Sequence, residues 1–282
     1  MLLNAGFWCS LLFVVALIKF IVIVKSWRLL IDKILIAIAK NFISINGIIL
    51  RWISWVTLDV NIEGPMDINK SYLVLCNHQS YSDIIIIQKI FNRNIPFLKF
   101  FLKQELIWIP VFGQAWWALD FPFMKRYTKA YLKKHPEDAG KDYQTTKEAC
   151  EKFKGSTVSI MNFVEGTRFT YEKRDRQNSP YQYLLKPKAG GVGYVLGLLQ
   201  EQIKTYVDVR IYYEIEKLSL WKMLGGWSKS IRVHVEIKEI PQHLFGDPQQ
   251  DKNLRIQIQQ WLNNLWSEKD QWLIQQKQKS SQ

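Results

Sequence analysis

Residues 77–83 read NHQSYSD and follow the apolar run YLVLC at 72–76. A histidine and an aspartate this close in sequence can form a base with an orienting carboxylate, provided the chain brings them together. One continuous helix would not, because positions five apart lie about 140° from each other around its axis. A strand ending at Cys76, a polar turn from Gln79 to Ser82, and a helix opening near Asp83 into IIIIQKIF would do so. The same spacing recurs at His234 and Glu239 in IRVHVEIKEI. Strand-like alternation there puts the two residues on opposite faces, so His234 reads as a structural or solvent-facing histidine.

Two further segments carry candidate chemistry. KQELIWIPVFG at 103–113 offers Lys103 and Glu105, and FVEGTR at 163–168 follows the strand-like STVSIMN and offers Glu165, Gly166, Thr167 and Arg168. Read singly, these are surface charges and a turn. Taken in order with NHQSYSD, they resemble the 1-acyl-sn-glycerol-3-phosphate acyltransferase family, which is marked by NHxxxxD, then KxELxxxPxxG, then FPEGTR. Here the first motif is Asn77 to Asp83, and the second is complete as Lys103, Glu105, Leu106, Pro110 and Gly113. The third has Val164 in place of the usual proline, with Glu165 to Arg168 intact. A later valine-proline element is replaced by YVDVRIYY at 206–213, where Asp208 and Val209 stand. The resemblance covers roughly residues 60–245, and WWALDFPFMKR and LLKPKAGG are similar to the branch of lysocardiolipin-type enzymes and their bacterial relatives.

That resemblance implies an α/β domain with a mixed sheet flanked by helices, and an acyl transfer to the sn-2 hydroxyl of lysophosphatidic acid, giving phosphatidic acid. The alternative acceptor is another lysophospholipid of the lysocardiolipin kind. The donor is acyl-CoA or acyl-carrier protein, used as a co-substrate, with no cofactor and no metal. Such a reaction needs the acceptor's proton removed as its oxygen attacks a thioester. Neutral His78 suits that task, and Asp83 would hold its tautomer. A serine nucleophile, Ser80 or Ser82, is not required. Arg168 can grip the acceptor phosphate through paired charge-assisted hydrogen bonds, with Lys103 and Arg126 as further phosphate contacts. Gly166 lets backbone approach a ligand, Thr167 adds a donor, and Glu165 is expected at the glycerol hydroxyl or bracing the arginines.

The elements that must hold these residues are legible in outline. From residue 61, strand-like runs at 71–76, 156–163, 205–213 and 231–238 alternate with helical ones such as 84–92 and 144–154, which predicts an α/β domain. Residues 170–183 are polar and aperiodic and read as a mobile loop. The chain divides into membrane-associated helices at 1–60, an acyltransferase domain at 61–245, and a C-terminal amphipathic helix with a polar tail at 246–282.

Residues 1–24 are almost wholly apolar and read as a retained membrane anchor; the polar content of 34–56 suggests a helix lying in the interface, with a second insertion or a packed helix as the alternatives. Lys25, Arg28, Lys33 and Lys40 follow the first run, so the basic-side rule places the catalytic domain on the cytoplasmic face, by expectation of a bacterial inner membrane. The net charge of +13 calls for an anionic partner, and twelve Trp favour membrane phospholipids over nucleic acid, for which no motif is present. A non-catalytic module that binds anionic lipid is the rival from another class. Three cysteines without a CxxC pair suit a reducing compartment.

Overall fold

The computed structural model describes every residue except 1, 54–55, 125–130, 132–133, 136, 138–140, 154, 216–217, 219, 226–229 and 281–282. Among the described residues eight strands are formed: β1 (Thr57–Glu63), β2 (Ser71–Cys76), β3 (Leu98–Phe100), β4 (Leu102–Lys103), β5 (Phe123–Met124), β6 (Ser159–Phe163), β7 (Ile203–Tyr213) and β8 (Ser230–Glu239). Six of them make one sheet in the order β1-β8-β7-β2-β6-β3, and β4 and β5 form a separate ribbon. β7 and β8 run antiparallel and the other neighbours in the large sheet are parallel, so the sheet is mixed. The four strands expected from the sequence are β2, β6, β7 and β8. β1 and β3 are edge strands, too short or too exposed to carry a clear period.

β2 is the pivot. It pairs in parallel on both sides and is buried at every position, which explains its unbroken apolar sequence. Its side chains still alternate between two cores. Tyr72, Val74 and Cys76 join one core with the helix Ser82–Phe91, whereas Leu73 and Leu75 join the other with Val192, Ile258, Leu262 and Trp266.

The N-terminal segment forms two helices, Leu2–Ile21 and Lys25–Ile53. The stretch Ser26–Trp52 is long and apolar enough to cross a membrane by length and composition, whereas Leu3–Lys19 is a shorter apolar helix. One face of this pair is packed: Cys9, Leu12, Ile31, Leu35, Ile38 and Leu50 share the core of Tyr72, Ile86 and Phe91. Lys19 fastens the first helix at two points, bonding Asp32 at 2.6 Å and Asp120 at 2.7 Å. The other face leaves Phe7, Phe13, Val14, Ile21, Ile23 and Trp27 exposed.

The C-terminal helix runs from Lys252 to Ser280, well into the stretch expected as a polar tail. Polar residues Lys269, Asp270 and Gln276 are buried on it because each has a partner in the domain. Residues 170–183 are likewise structured. A short helix, Tyr171–Arg176, starts at Thr170, whose hydroxyl accepts from the Lys173 amide. The segment beyond it is held by Asp270, which accepts from the Gln182 and Tyr183 amides at 2.7 and 2.8 Å. Hydrogen bonds to a distant helix leave no periodicity in the segment itself.

Candidate active site

β2 ends at Cys76, and Asn77 acts as a substitute backbone unit where the strand stops. Its amide donates to the Ile211 carbonyl and its carbonyl accepts from the Ile211 N–H, both at 2.9 Å. This ties the start of the turn to β7. The helix Ser82–Phe91 then opens with Asp83 in its first turn, so the chain folds back as the spacing requires. His78 Nδ1 lies 2.8 Å from Asp83 Oδ2. With the proton on Nδ1, the imidazole donates to the carboxylate and keeps Nε2 as a proton acceptor.

Asp83 is fully buried, and donors surround it. Oδ2 accepts from His78, from the Gln79 amide at 2.8 Å and from the Ser80 amide at 2.9 Å. Oδ1 accepts from the Tyr213 hydroxyl at 2.5 Å. His78 keeps a side-chain exposure of 15% and stacks on Phe163, with ring centroids 3.9 Å apart and planes 17° from parallel. The ring is thus held on one edge and one face, while a remaining edge reaches solvent. Ser80 is occupied elsewhere, since its hydroxyl donates to the Leu218 carbonyl. His234 does not meet Glu239; it bonds Glu236 at 3.0 Å, two positions along the same strand face, as the alternation demands.

The EGTR segment closes onto this turn at the end of β6. Gly166 takes φ +72, and an added Cβ would lie 3.3 Å from Lys188 Nζ, so both conformation and space favour glycine. The Phe169 amide donates to the His78 carbonyl at 2.7 Å, joining the two motif loops directly. Arg168 is half-buried. Its guanidinium lies over the Tyr81 ring, 3.4 Å from the centroid, and donates to the Tyr81 hydroxyl at 2.7 Å. Thr167 Oγ1 and the Arg168 carbonyl both accept from Lys173 Nζ at 2.9 Å.

Glu165 lies beneath the site instead of facing a ligand. It is fully buried, and its two oxygens accept from the His78 amide at 3.2 Å and the Leu185 amide at 3.1 Å. Burial raises its pKa to about 8, against the opposing pull of those two N–H groups and the Lys269 charge. In place of the expected contact with the acceptor's glycerol or with the arginines, Glu165 braces the NHQSYSD turn from beneath. Lys103 is exposed on the β4–β5 ribbon and, among the described residues, is not hydrogen-bonded to either motif loop. Arg126 lies outside the described residues. In the second motif, Gly113 has a steric reason: an added Cβ would come within 2.0 Å of the Ile107 carbonyl oxygen.

Sequence reasoning missed Tyr81, Phe163 and Tyr213 as members of the site. The first two sit inside quoted motifs, where an aromatic beside a histidine or an arginine could have signalled stacking. Tyr213 gave no local signal, because it is 130 positions from the carboxylate it touches.

A fold with a parallel-pivot sheet, a histidine–aspartate pair at its edge and an EGTR loop across from it has the parts of an acyl-transfer site. The acyltransferase family profile matches residues 59–206, and the chain belongs to that family, among the glycerolipid acyltransferases. It is similar to a 2-acyl-1-lysophosphatidylinositol acyltransferase of Saccharomyces cerevisiae, at 24% identity over 70% of this chain and 59% of that protein. It is similar to a 1-acyl-sn-glycerol-3-phosphate acyltransferase of Cocos nucifera, at 27% identity over 44% of this chain and 35% of that protein. The chain thus spans only part of the length of these relatives. The crystal structure of the 1-acyl-sn-glycerophosphate acyltransferase PlsC from Thermotoga maritima aligns over 93% of both chains with a TM-score of 0.47 and 18% identity.

Proposed function

We propose that this chain transfers a fatty acyl group from acyl-CoA or acyl-carrier protein to the sn-2 hydroxyl of lysophosphatidic acid at a membrane surface. The observation that carries the reading is the 2.8 Å contact between His78 Nδ1 and the buried Asp83, with the Nε2 edge left for substrate. Nε2 takes the hydroxyl proton as the acceptor oxygen attacks the thioester carbonyl carbon. The tetrahedral intermediate then collapses, the C–S bond breaks, and the departing sulfur takes the proton from the imidazolium. Asp83 stabilises that imidazolium while it exists. No acyl-enzyme forms, which agrees with Ser80 being bound to a carbonyl. Arg168, placed beside the turn by Tyr81, leaves that ring for the acceptor phosphate, which offers it two charged oxygens.

A second acceptor reading has one specific support. The relative with the longer alignment is named for a lysophosphatidylinositol acceptor, so a phosphodiester with a larger head group is the alternative. Both readings put a lipid phosphate at Arg168. Membranes carrying the chain are incubated with labelled acyl-CoA or acyl-carrier protein and a panel of lysophospholipids. Product with lysophosphatidic acid that disappears in His78→Ala supports the proposal. Product only with an inositol- or glycerol-bearing acceptor selects the alternative, and His78-independent binding without product points to a lipid-binding module.

A further inference from the structure

Oδ2 of Asp83 accepts three hydrogen bonds, from His78, Gln79 and Ser80. Oδ1 has a single partner among the described residues, the hydroxyl of Tyr213 at 2.5 Å. The carboxylate has no solvent exposure, and no lysine or arginine bonds it among those residues. A buried carboxylate oxygen without a donor is costly, and a carboxylate free to rotate about χ2 can exchange its oxygens. The titratable groups around it are His78, Tyr213, Cys76 and Glu165, and the Lys269 charge acts on Cys76 and Glu165. The Tyr213 phenol, the Cys76 thiol and the Glu165 carboxyl are all pushed up by burial first, and the Asp83 charge acts in the same direction. The phenol therefore stays protonated and acts as the donor.

We propose that Tyr213 is a positioning residue for acyl transfer: its hydroxyl clamps Asp83 Oδ1 so that Oδ2 stays aimed at His78 Nδ1. This rests on the general-base reading of His78. The position on the strand matters. Tyr212 and Tyr213 are adjacent on β7 and point to opposite faces, and they belong to different cores. Tyr212 Oη is buried and has no hydrogen-bond partner among the described residues. A register slip of one residue would take the hydroxyl away from Asp83.

The test compares Tyr213→Phe with Tyr212→Phe in the full chain. Tyr213→Phe should lower kcat about ten- to hundred-fold, as expected for losing one hydrogen bond to a charged group, and leave both substrate KM values close to the parent's. The acid limb of its kcat/KM profile should move to higher pH, because an Asp83 with one donor fewer holds the imidazolium more strongly. 3,5-Difluorotyrosine inserted at 213 keeps the ring and strengthens the donor, so it should move that limb to lower pH even if the phenylalanine variant folds poorly. Tyr212→Phe should leave kcat and the profile unchanged. The Nδ1 proton resonance of His78, assigned by its loss in His78→Ala, gives a readout that needs no turnover; it should shift in Tyr213→Phe and not in Tyr212→Phe. A folded Tyr213→Phe with parent kcat, profile and resonance overturns the inference and leaves the base assignment standing. A parent chain without acyltransferase activity overturns the base assignment instead, and the resonance alone then decides whether Tyr213 orders the pair.

Discussion

Asp208 and Lys269 form an ion pair at 2.6 Å with neither side chain exposed, joining the middle of β7 to the C-terminal helix. Lys269 also donates to the Val209 carbonyl at 2.6 Å, so it fills the space beneath β2 and β7. Asp208 has no solvent exposure, and the lysine partner explains how a carboxylate survives there. Asp208 Oδ2 has a second partner in Arg210 Nε at 2.9 Å. Removing Lys269 leaves Asp208 paired with Arg210, whereas removing Asp208 strands Lys269 in a dry interior. Asp208→Asn should therefore cost about 3–5 kcal/mol, read as a fall in Cm by urea unfolding. The double variant Asp208→Asn with Lys269→Met should recover part of that loss, because no uncompensated charge is left.

The dyad is tested by two substitutions with different consequences. His78→Ala should lower kcat by about 10²–10⁴. Asp83→Asn should fold and remain impaired, because the amide cannot stabilise the imidazolium and presents the wrong hydrogen-bonding pattern to Nδ1. His234→Ala should keep its activity, since that ring bonds Glu236 on β8. Steady-state rates with a thiol-detecting reagent for released CoA check all three, and a fully active Asp83→Asn protein would sink the dyad.

Arg168 distinguishes recognition of phosphate from general attraction to charged lipid. Arg168→Lys keeps the charge and loses the planar fork, so kcat/KM for a lysophospholipid should already fall. Arg168→Ala should cost about 2–5 kcal/mol in that parameter if the phosphate pair is desolvated, with the donor KM little changed. A monoacylglycerol acceptor should be poor in the parent and insensitive to either change. Equal losses on both acceptors would move Arg168 from phosphate recognition to support of the turn it shares with Tyr81.

Glu165 makes stability depend on pH. Its carboxyl sits at about 8 in the fold against an ordinary value of 4.5, because burial penalises the charged form. The folded state thus binds this proton more tightly than the unfolded chain. Its stabilising contribution is complete below the unfolded value and is lost as pH rises through the folded one. Tm should therefore fall between about pH 5 and pH 8, and Glu165→Gln should flatten that fall. Melting curves of both proteins across the range decide it; parallel pH dependences would place the titration elsewhere.

How much of this was legible follows from the range of the contacts. The turn at NHQSYSD, the strands β2 and β7 and the helix after Asp83 are written in local alternation and spacing, and the structure has them where expected. His78 and Asp83 lie five positions apart, so one segment encodes their geometry. Glu165 is expected at the glycerol hydroxyl or bracing the arginines, yet the groups it bonds, the His78 and Leu185 amides, come from two other segments. Tyr213 and Lys269 act across 130 and 61 positions respectively, the latter counted from Asp208 to Lys269, and no period or motif records such pairings.

The same distinction decides what happens if the N-terminal helices are cut away. Read from composition, residues 1–60 are a membrane anchor with interfacial helices, and a chain starting near residue 60 is expected to keep its fold. In the fold, Leu35, Ile38 and Leu50 are buried in one core with Ile86, Ile87 and Phe91, the helix that carries Asp83. A chain starting near residue 57 would expose that apolar face, and each fully buried aliphatic side chain contributes about 1.5–3 kcal/mol. It should aggregate or lose a cooperative melting transition, instead of yielding a soluble active domain. Membrane attachment is better separated at the exposed face. Replacing Phe13, Ile21 and Trp27 with serine removes apolar surface that packs against nothing in the core, so Tm should stay near the parent value. Binding to anionic phospholipid vesicles in a flotation assay should fall, with activity on vesicle-borne acceptor falling in parallel and activity on detergent-dispersed acceptor retained. Undiminished flotation by the triple variant would assign attachment to exposed apolar residues left in place, among them Phe7, Val14 and Ile23 on the same face and Trp108 and Trp117 at the second motif.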